Sequence, residues 1–345
     1  MAVRVSKPAF NLREKLSELD KPVGLKGSEL MRCDTDQEAR NLIGVGRKNL
    51  FINGNFDIWQ RGTSSTAGGY VAADRWYHNL SGASMTFSRQ AHTNPIDGSR
   101  HYGRIASTSS DDYCGIRQRI EDAASIPEGK VTVSFWARGH VNGNLAVWGT
   151  IHYNGSSDVD ILEKRTPYLK NDTTFRKYSL TFTIPSHSGK TFGSGSYFEM
   201  AFGQGTGDSS SAWTLDISNI QLEAGEYATE FEQRSYSEEL ALCQRYYMKR
   251  QLYGCCSTGF SQSGGGYNSH LMNIPLPVKM RTTPTVTFDN ATQSQCFQPG
   301  GDNANFGSFA NGQDFVSVTT GSTNSTWTTQ VVSSSAPYIN LSAEL

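Results

Sequence analysis

The chain has 345 residues and a formal charge of −1, so bulk charge favours neither nucleic acid nor an anionic membrane as partner. Only 18% of residues are charged and 34 are glycine, a balance that suits short strands and tight turns better than a helix-rich metabolic enzyme. No run of about eighteen apolar residues occurs, so no membrane-spanning helix is expected, and the opening "MAVRVSKPAF" lacks the apolar core of a secretory signal.

The length suggests two or three domains. Residues 1–48 read as helical. Leu12, Leu16 and Leu19 fall at helical spacing in "NLREKLSELD", and Asn11 and Glu14 stand like a capping box. "TDQEARNLI" repeats the pattern with Thr35 and Glu38. Helices this short and narrow-striped are marginal alone in water, so they need a partner surface, either on their own domain or in a larger assembly.

From Asn49 to Arg234 the period becomes two. "KVTVSFWARG" sets Val131, Val133 and Phe135 against Thr132, Ser134, Trp136 and Arg138. "LAVWGTIHY" sets Leu145, Val147, Ile151 and Tyr153 against Trp148, Thr150 and His152. "YSLTFTIP", "YFEMAFGQG" and "AWTLDISNIQLE" continue the series, with Gly, Ser, Asn and Asp clusters between. One buried face per strand predicts an antiparallel sandwich over residues 49–234. "NLFINGNFDIWQRG" is expected to be its first strand, with Leu50, Ile52 and Phe56 in the core and a bulge or bend at Asn53 and Gly54.

Residues 235–250 predict a connecting helix. Ser235 and Glu238 have capping-box spacing, Leu240, Cys243 and Tyr247 share a face, and Lys249 and Arg250 fall near its end. Residues 251–345 read as strands and Gly-rich loops with no Lys or Arg after Arg281, which predicts a distal β domain.

The six cysteines, Cys33, Cys114, Cys243, Cys255, Cys256 and Cys296, form no C-x-x-C pair and read as reduced thiols. The seven histidines lack metal-ligand spacing, and "GLKGSEL" lacks the ending of a P-loop.

The segments "KPAFNLREKLSELDKPVGLKGSELMRCDT", "GRKNLFINGNFDIWQRGTS" and "ISNIQLEAGEYATEFEQRSYSEELALCQRYY" resemble bacteriophage structural proteins of the tail-fibre or virion-appendage type, those of marine phages in particular. The resemblance covers about residues 1–250. It implies that residues 1–48 attach to other virion proteins, that residues 49–234 form a jelly roll, and that the protein sits on the virion surface as a homotrimer. The sandwich also resembles carbohydrate-binding jelly rolls, whose first and last strands can lie side by side and share a structural calcium ion. By that resemblance Asp57 and Asp216, with carbonyls near Asn53 and Gly54, would be its ligands.

The fold class read here is therefore mainly β: a helical attachment segment, a jelly-roll sandwich, a connecting helix and a distal β domain. Trp136, Arg138, Trp148 and His152, joined by Tyr197 and Glu199, lie on outward faces. Aromatic rings stack on sugar rings while charged and polar groups bond to hydroxyls, so these six are the candidate sites for a host-surface glycan. The same tryptophans would equally serve as packing beneath a loop or against a neighbouring subunit. No spacing singles out a pair of carboxylates for glycoside hydrolysis, so a non-catalytic binder is expected. The alternatives are a purely structural capsid or tail decoration protein and a polysaccharide-degrading spike.

Overall fold

The alternating segments become antiparallel strands. The computed structural model describes residue 32 and residues 48–80, 84–108, 114–140, 145–154, 159–162, 174–204, 212–251, 254–256, 259–261, 268–289, 296–297, 305–322, 329–331 and 338–345. The helices expected within residues 1–48 lie outside these, except for Arg32 and Lys48.

Eleven strands build the sandwich: β1 (Ser64–Ser65), β2 (Tyr77–Leu80), β3 (Met85–Ile96), β4 (Ser99–Ser107), β5 (Cys114–Glu121), β6 (Gly129–His140), β7 (Ala146–His152), β8 (Val159–Ile161), β9 (Arg176–Ile184), β10 (Tyr197–Gln204) and β11 (Trp213–Ala224). A six-stranded sheet has the order β1-β3-β4-β11-β6-β9, and a five-stranded sheet the order β2-β5-β10-β7-β8. The inner faces supply the core: Phe87, Ile105, Val131, Val133, Phe135, Leu215 and Ile217 from one sheet, and Ile116, Val147, Ile151, Phe198, Met200 and Phe202 from the other. Alternation of buried and outward residues therefore holds in both sheets, as the period-two pattern requires.

"NLFINGNFDIWQRG" departs from the expectation. It is an irregular, turn-rich segment and not a strand. Phe51, Phe56 and Ile58 are its fully buried apolar residues, while Leu50 and Ile52 are only half-buried. Asn53 and Phe56 both take left-handed conformations (φ 56°), which breaks strict alternation and reassigns the inward positions. The bend expected at Asn53 and Gly54 is present. Phe51 and Phe56 flank Trp76 at 5.7 and 5.2 Å between ring centroids, and Trp76 meets Phe202 of β10 at 6.1 Å.

The segment lies beside β11, as the first and last pieces of the sandwich were expected to do. Leu50 N–H donates to Leu222 O (2.9 Å), and Ile220 N–H donates to Gly54 O (2.9 Å). The contact falls where β11 shifts register between Ser218 and Gln221. A Cβ at Gly54 would stand 2.1 Å from Ile220 O, so only glycine fits.

After the sandwich, Ser235 caps helix α1 (Tyr236–Gln244), its hydroxyl accepting from Glu238 N–H at 3.3 Å. The helix stops well short of residue 250. Tyr247, Lys249 and Arg250 belong instead to β12 (Tyr247–Gln251), which pairs with β21 (Tyr338–Ser342). Lys249 and Arg250 are thus strand residues and do not complement a helix end. The β-favouring Tyr246-Tyr247-Met248 run and a long-range partner strand override the helical spacing.

The remaining strands are β13 (Gly254–Cys256), β14 (Gly259–Ser261), β15 (Asn268–Pro275), β16 (Thr285–Phe288), β17 (Cys296–Phe297), β18 (Asn305–Asn311), β19 (Phe315–Ser322) and β20 (Thr329–Val331). They form sheets ordered β12-β21-β16, β13-β20-β17 and β14-β15-β19-β18. Met248, Ile274, Met280, Val316, Ile339 and Leu341 make a second hydrophobic core.

Polar contacts lock this second unit to the sandwich. Arg75 is 1% exposed and its Nη1 donates to Glu344, itself only 7% exposed. Arg75 also stacks on Tyr246 (3.5 Å) and its Nη2 donates to Arg119 O (2.6 Å). Arg61 pairs with Glu344 at 2.9 Å and stacks on Tyr247 at 3.5 Å. Arg245 and the Tyr246 hydroxyl both donate to Glu121, each at 2.9 Å.

Replacing Glu344 by Ala leaves Arg75 buried and uncompensated, which costs about 3–5 kcal/mol in denaturant unfolding. Burial raises the Asp74 carboxyl from 3.8 to about 6, partly opposed by Arg61 and Gln60. Because the folded form holds this proton longer than the unfolded one, the contribution of Asp74 is fully favourable below pH about 4. It is lost as pH rises towards about 6, by about 3 kcal/mol. Asp74→Asn should remove that part of the pH dependence, read from urea unfolding between pH 4 and 7.

Candidate functional site

The outward residues of β7, β10 and β5 line up because their strands are neighbours in the five-stranded sheet. Register places Trp148, Ala201, Arg117 and Tyr77 in one row. The next row is Ile161, Thr150, Glu199 and Arg119, and the third is Val159, His152, Tyr197 and Glu121. Four of the six expected site residues, Trp148, His152, Tyr197 and Glu199, therefore share one face.

Glu199 is held by two guanidiniums: Arg117 Nη1 donates to Oε1 at 3.1 Å and Arg119 Nε to Oε2 at 2.8 Å. Arg117 lies over the Tyr77 ring (4.4 Å) and Arg119 over the Tyr197 ring (4.6 Å). His152 stacks on Tyr197 with centroids 4.2 Å apart and planes 20° apart. Burial lowers the His152 pKa, with Glu199 opposing, so the ring is neutral at pH 7. Trp148, Thr150, His152 and Tyr197 are half-buried, and Ile161 is 76% exposed. The result is a platform of partly exposed rings around fixed hydrogen-bonding groups.

Arg117, Arg119, Tyr77 and Ile161 are members of this face that period alone does not select. "RQRI" shows alternation at Arg117 and Arg119, but only strand pairing places them beside Glu199.

Trp136 and Arg138 lie on β6, in the opposite sheet, so they do not join the other four. Consecutive strands β6 and β7 belong to different sheets, and outward on each means opposite surfaces of the sandwich. Trp136 Nε1 donates to Asp97 Oδ2 (2.8 Å) in the β3–β4 turn. Arg138 Nε donates to Asp216 Oδ2 (2.9 Å), its Nη2 donates to the Tyr102 hydroxyl (3.0 Å), and it lies over Phe175 (4.5 Å). Tyr102, Phe175 and His92 cluster in tilted and edge-on arrangements, 4.8 to 5.2 Å between centroids. Arg104 and Arg138 are 37% and 27% exposed, so this face too is partly open to solvent.

The calcium arrangement does not fit the geometry. Arg104 donates to both Asp216 oxygens (2.7 and 2.8 Å) and Arg138 adds a third bond, so guanidiniums stand where a cation would. Asp57 is engaged by His101 Nδ1 (2.8 Å) and Asn55 Nδ2 (2.8 Å). Asn53 O accepts from Trp76 Nε1 (2.9 Å), and Gly54 O accepts from Ile220 N–H. Among the described residues, no three His, Cys, Asp or Glu side chains come together to hold a metal ion.

No protein-family profile and no curated protein matches the chain. Among solved structures it is similar to the N-terminal cellulose-binding domain of Cellulomonas fimi β-1,4-glucanase C, at 18% identity over 49% of this chain and 98% of that one, with a TM-score of 0.29. A cyclase from Fischerella sp. TAU matches at 12% identity over 53% of this chain and all of that one (TM-score 0.36). The enzymatically active domain of tailspike protein 4 from bacteriophage CBA120 matches at 14% identity (TM-score 0.31), over 51% of this chain and only 21% of that one. At scores this low, the reading of the face rests on its own side chains.

Asp216→Ala should cost about 1–3 kcal/mol by stranding two arginines. Added Ca²⁺ or a chelator should leave the melting temperature of the wild type unchanged, read by scanning calorimetry.

Proposed function

We propose that this protein is a non-catalytic glycan-binding protein whose ligand lies on the outer face of the five-stranded sheet. One observation carries the reading: the half-buried Trp148, His152 and Tyr197 share one face with the buried Glu199 and the two partly exposed arginines that hold it. Such a surface offers apolar rings for sugar faces and pre-oriented groups for hydroxyls. Binding without hydrolysis is the better fit because Glu199 and Asp216 lie on opposite sheets, each held by two arginines. They do not form a facing pair for glycoside cleavage.

The resemblance to phage appendage proteins supports a finer reading. The protein is a tail-fibre or surface-appendage subunit on the virion. It is attached through residues 1–48 and recognises a host-surface glycan. As a homotrimer it would bind by avidity, several weak sites acting together. On the other side of the sandwich Trp136 bonds Asp97 and Asp216 bonds Arg104 and Arg138, side chains engaged with one another, which leaves a decoration role as the second reading.

Fluorescently labelled protein should bind host cells, and Trp148→Ala should reduce that binding about tenfold or more with the fold intact by circular dichroism. Trp136→Ala should leave binding unchanged. Equal loss from both variants, or full binding by Trp148→Ala, overturns this assignment.

A further inference from the structure

On the binding face, arginine side chains outnumber carboxylate side chains. Two guanidiniums, Arg117 and Arg119, share the single carboxylate of Glu199. Arg119 spends a further N–H on Leu345 O (2.8 Å). The other nearby carboxylates are committed elsewhere: Glu121 to Arg245 and Tyr246, and Glu344 to Arg61 and Arg75. Arg117 is left with one bond of 3.1 Å to Glu199 and a buried Nε that has no hydrogen-bond partner among the described residues. Its side chain is 21% exposed, and the Tyr77 ring beneath it holds the guanidinium in place.

The far end of the same row matters equally. From Arg117 it runs through Ala201 to Trp148. Two inter-strand steps separate the indole strand from the arginine strand, about 10 Å. Ala201 is 1% exposed, so neighbouring side chains cover its methyl. A sugar ring seated on Trp148 lies above that cover and directs a substituent to the exposed edge of Arg117. Guanidinium forks favour planar or multi-oxygen anions, and charge-assisted hydrogen bonds are about twice as strong as neutral ones.

Resting on the glycan reading above, we propose that Arg117 forms an anion-recognising subsite and that the glycan is acidic, carrying a carboxylate or a sulfate ester. Arg117 is then the residue that selects acidic over neutral chains, while Trp148 supplies affinity common to both.

The test is calorimetric titration of the full chain with matched sugars. One arm pairs oligogalacturonate with its carboxyl-reduced counterpart, and the other pairs dextran sulfate with dextran. Poly-glutamate serves as an anion without sugar. The acidic member of at least one pair should bind about tenfold or more tightly than its neutral partner, and the pair that discriminates names the anion. Arg117→Gln should erase that ratio, the acidic member losing more than its neutral partner. Arg117→Lys, which keeps the charge, should retain part of it. Trp148→Ala should weaken both members alike.

Equal binding within both pairs overturns the acidic subsite and leaves the glycan reading standing. So does a ratio that survives in folded Arg117→Gln, or poly-glutamate binding as tightly as the acidic sugar. Binding of no sugar overturns both.

Discussion

The sandwich depends on one buried amide. Asn53 is fully buried, yet each of its polar groups has a partner. Its Nδ2 donates to Ile58 O (2.8 Å) and Asp74 O (3.0 Å), and its Oδ1 accepts from Ile58 N–H (3.0 Å). Its carbonyl accepts from the Trp76 indole, and its own N–H donates to Glu239 of α1. A buried polar group left unpaired costs roughly 1–3 kcal/mol, so this set is stabilising only if complete. It fixes the left-handed turn at Asn53, which turns Phe51 and Phe56 onto Trp76 and brings Gly54 against Ile220.

The same arrangement couples the sandwich to α1 and the second β unit. Glu239 reaches Asn53 from α1, and Arg234 contacts Glu239 and donates to Phe51 O (3.0 Å). A few residues on, Tyr246 and Tyr247 receive the stacked guanidiniums of Arg75 and Arg61. The second β unit thus docks on side chains adjoining the outer face of the five-stranded sheet, and Arg119 belongs to both: it bonds Glu199 on that face and Leu345 beyond β21.

The two outer surfaces of the sandwich use similar residues in different groupings. Over the six-stranded sheet Asp216 takes three bonds from Arg104 and Arg138, and Trp136 bonds Asp97 of the β3–β4 turn. Over the five-stranded sheet Glu199 takes one bond from each of two arginines, and Arg117 keeps a buried Nε without a partner among the described residues. Exposure is alike on both: Arg104 and Arg138 are 37% and 27% exposed, Arg117 and Arg119 21% and 20%. Composition does not separate the two groupings, because strand pairing decides which arginine meets which carboxylate.

Much of this was legible in the sequence. The period-two runs determined the strands, their core faces and the outward positions of Trp148, His152, Tyr197 and Glu199, because alternation is a local property of an extended chain. The Ser235 cap was legible for the same reason. Sheet membership was not, since period says which side of a strand faces the core and nothing about which sheet receives it. Only pairing split Trp136 and Arg138 from the other four and brought Arg117 and Arg119 to Glu199. Helix α1 ended early because β21, about a hundred residues away in sequence, claimed Tyr247–Gln251. The Asp216 carboxylate went to arginines rather than to a cation because β4 and β6 flank β11. Local chemistry was written in the sequence; long-range pairing decided which side chains meet.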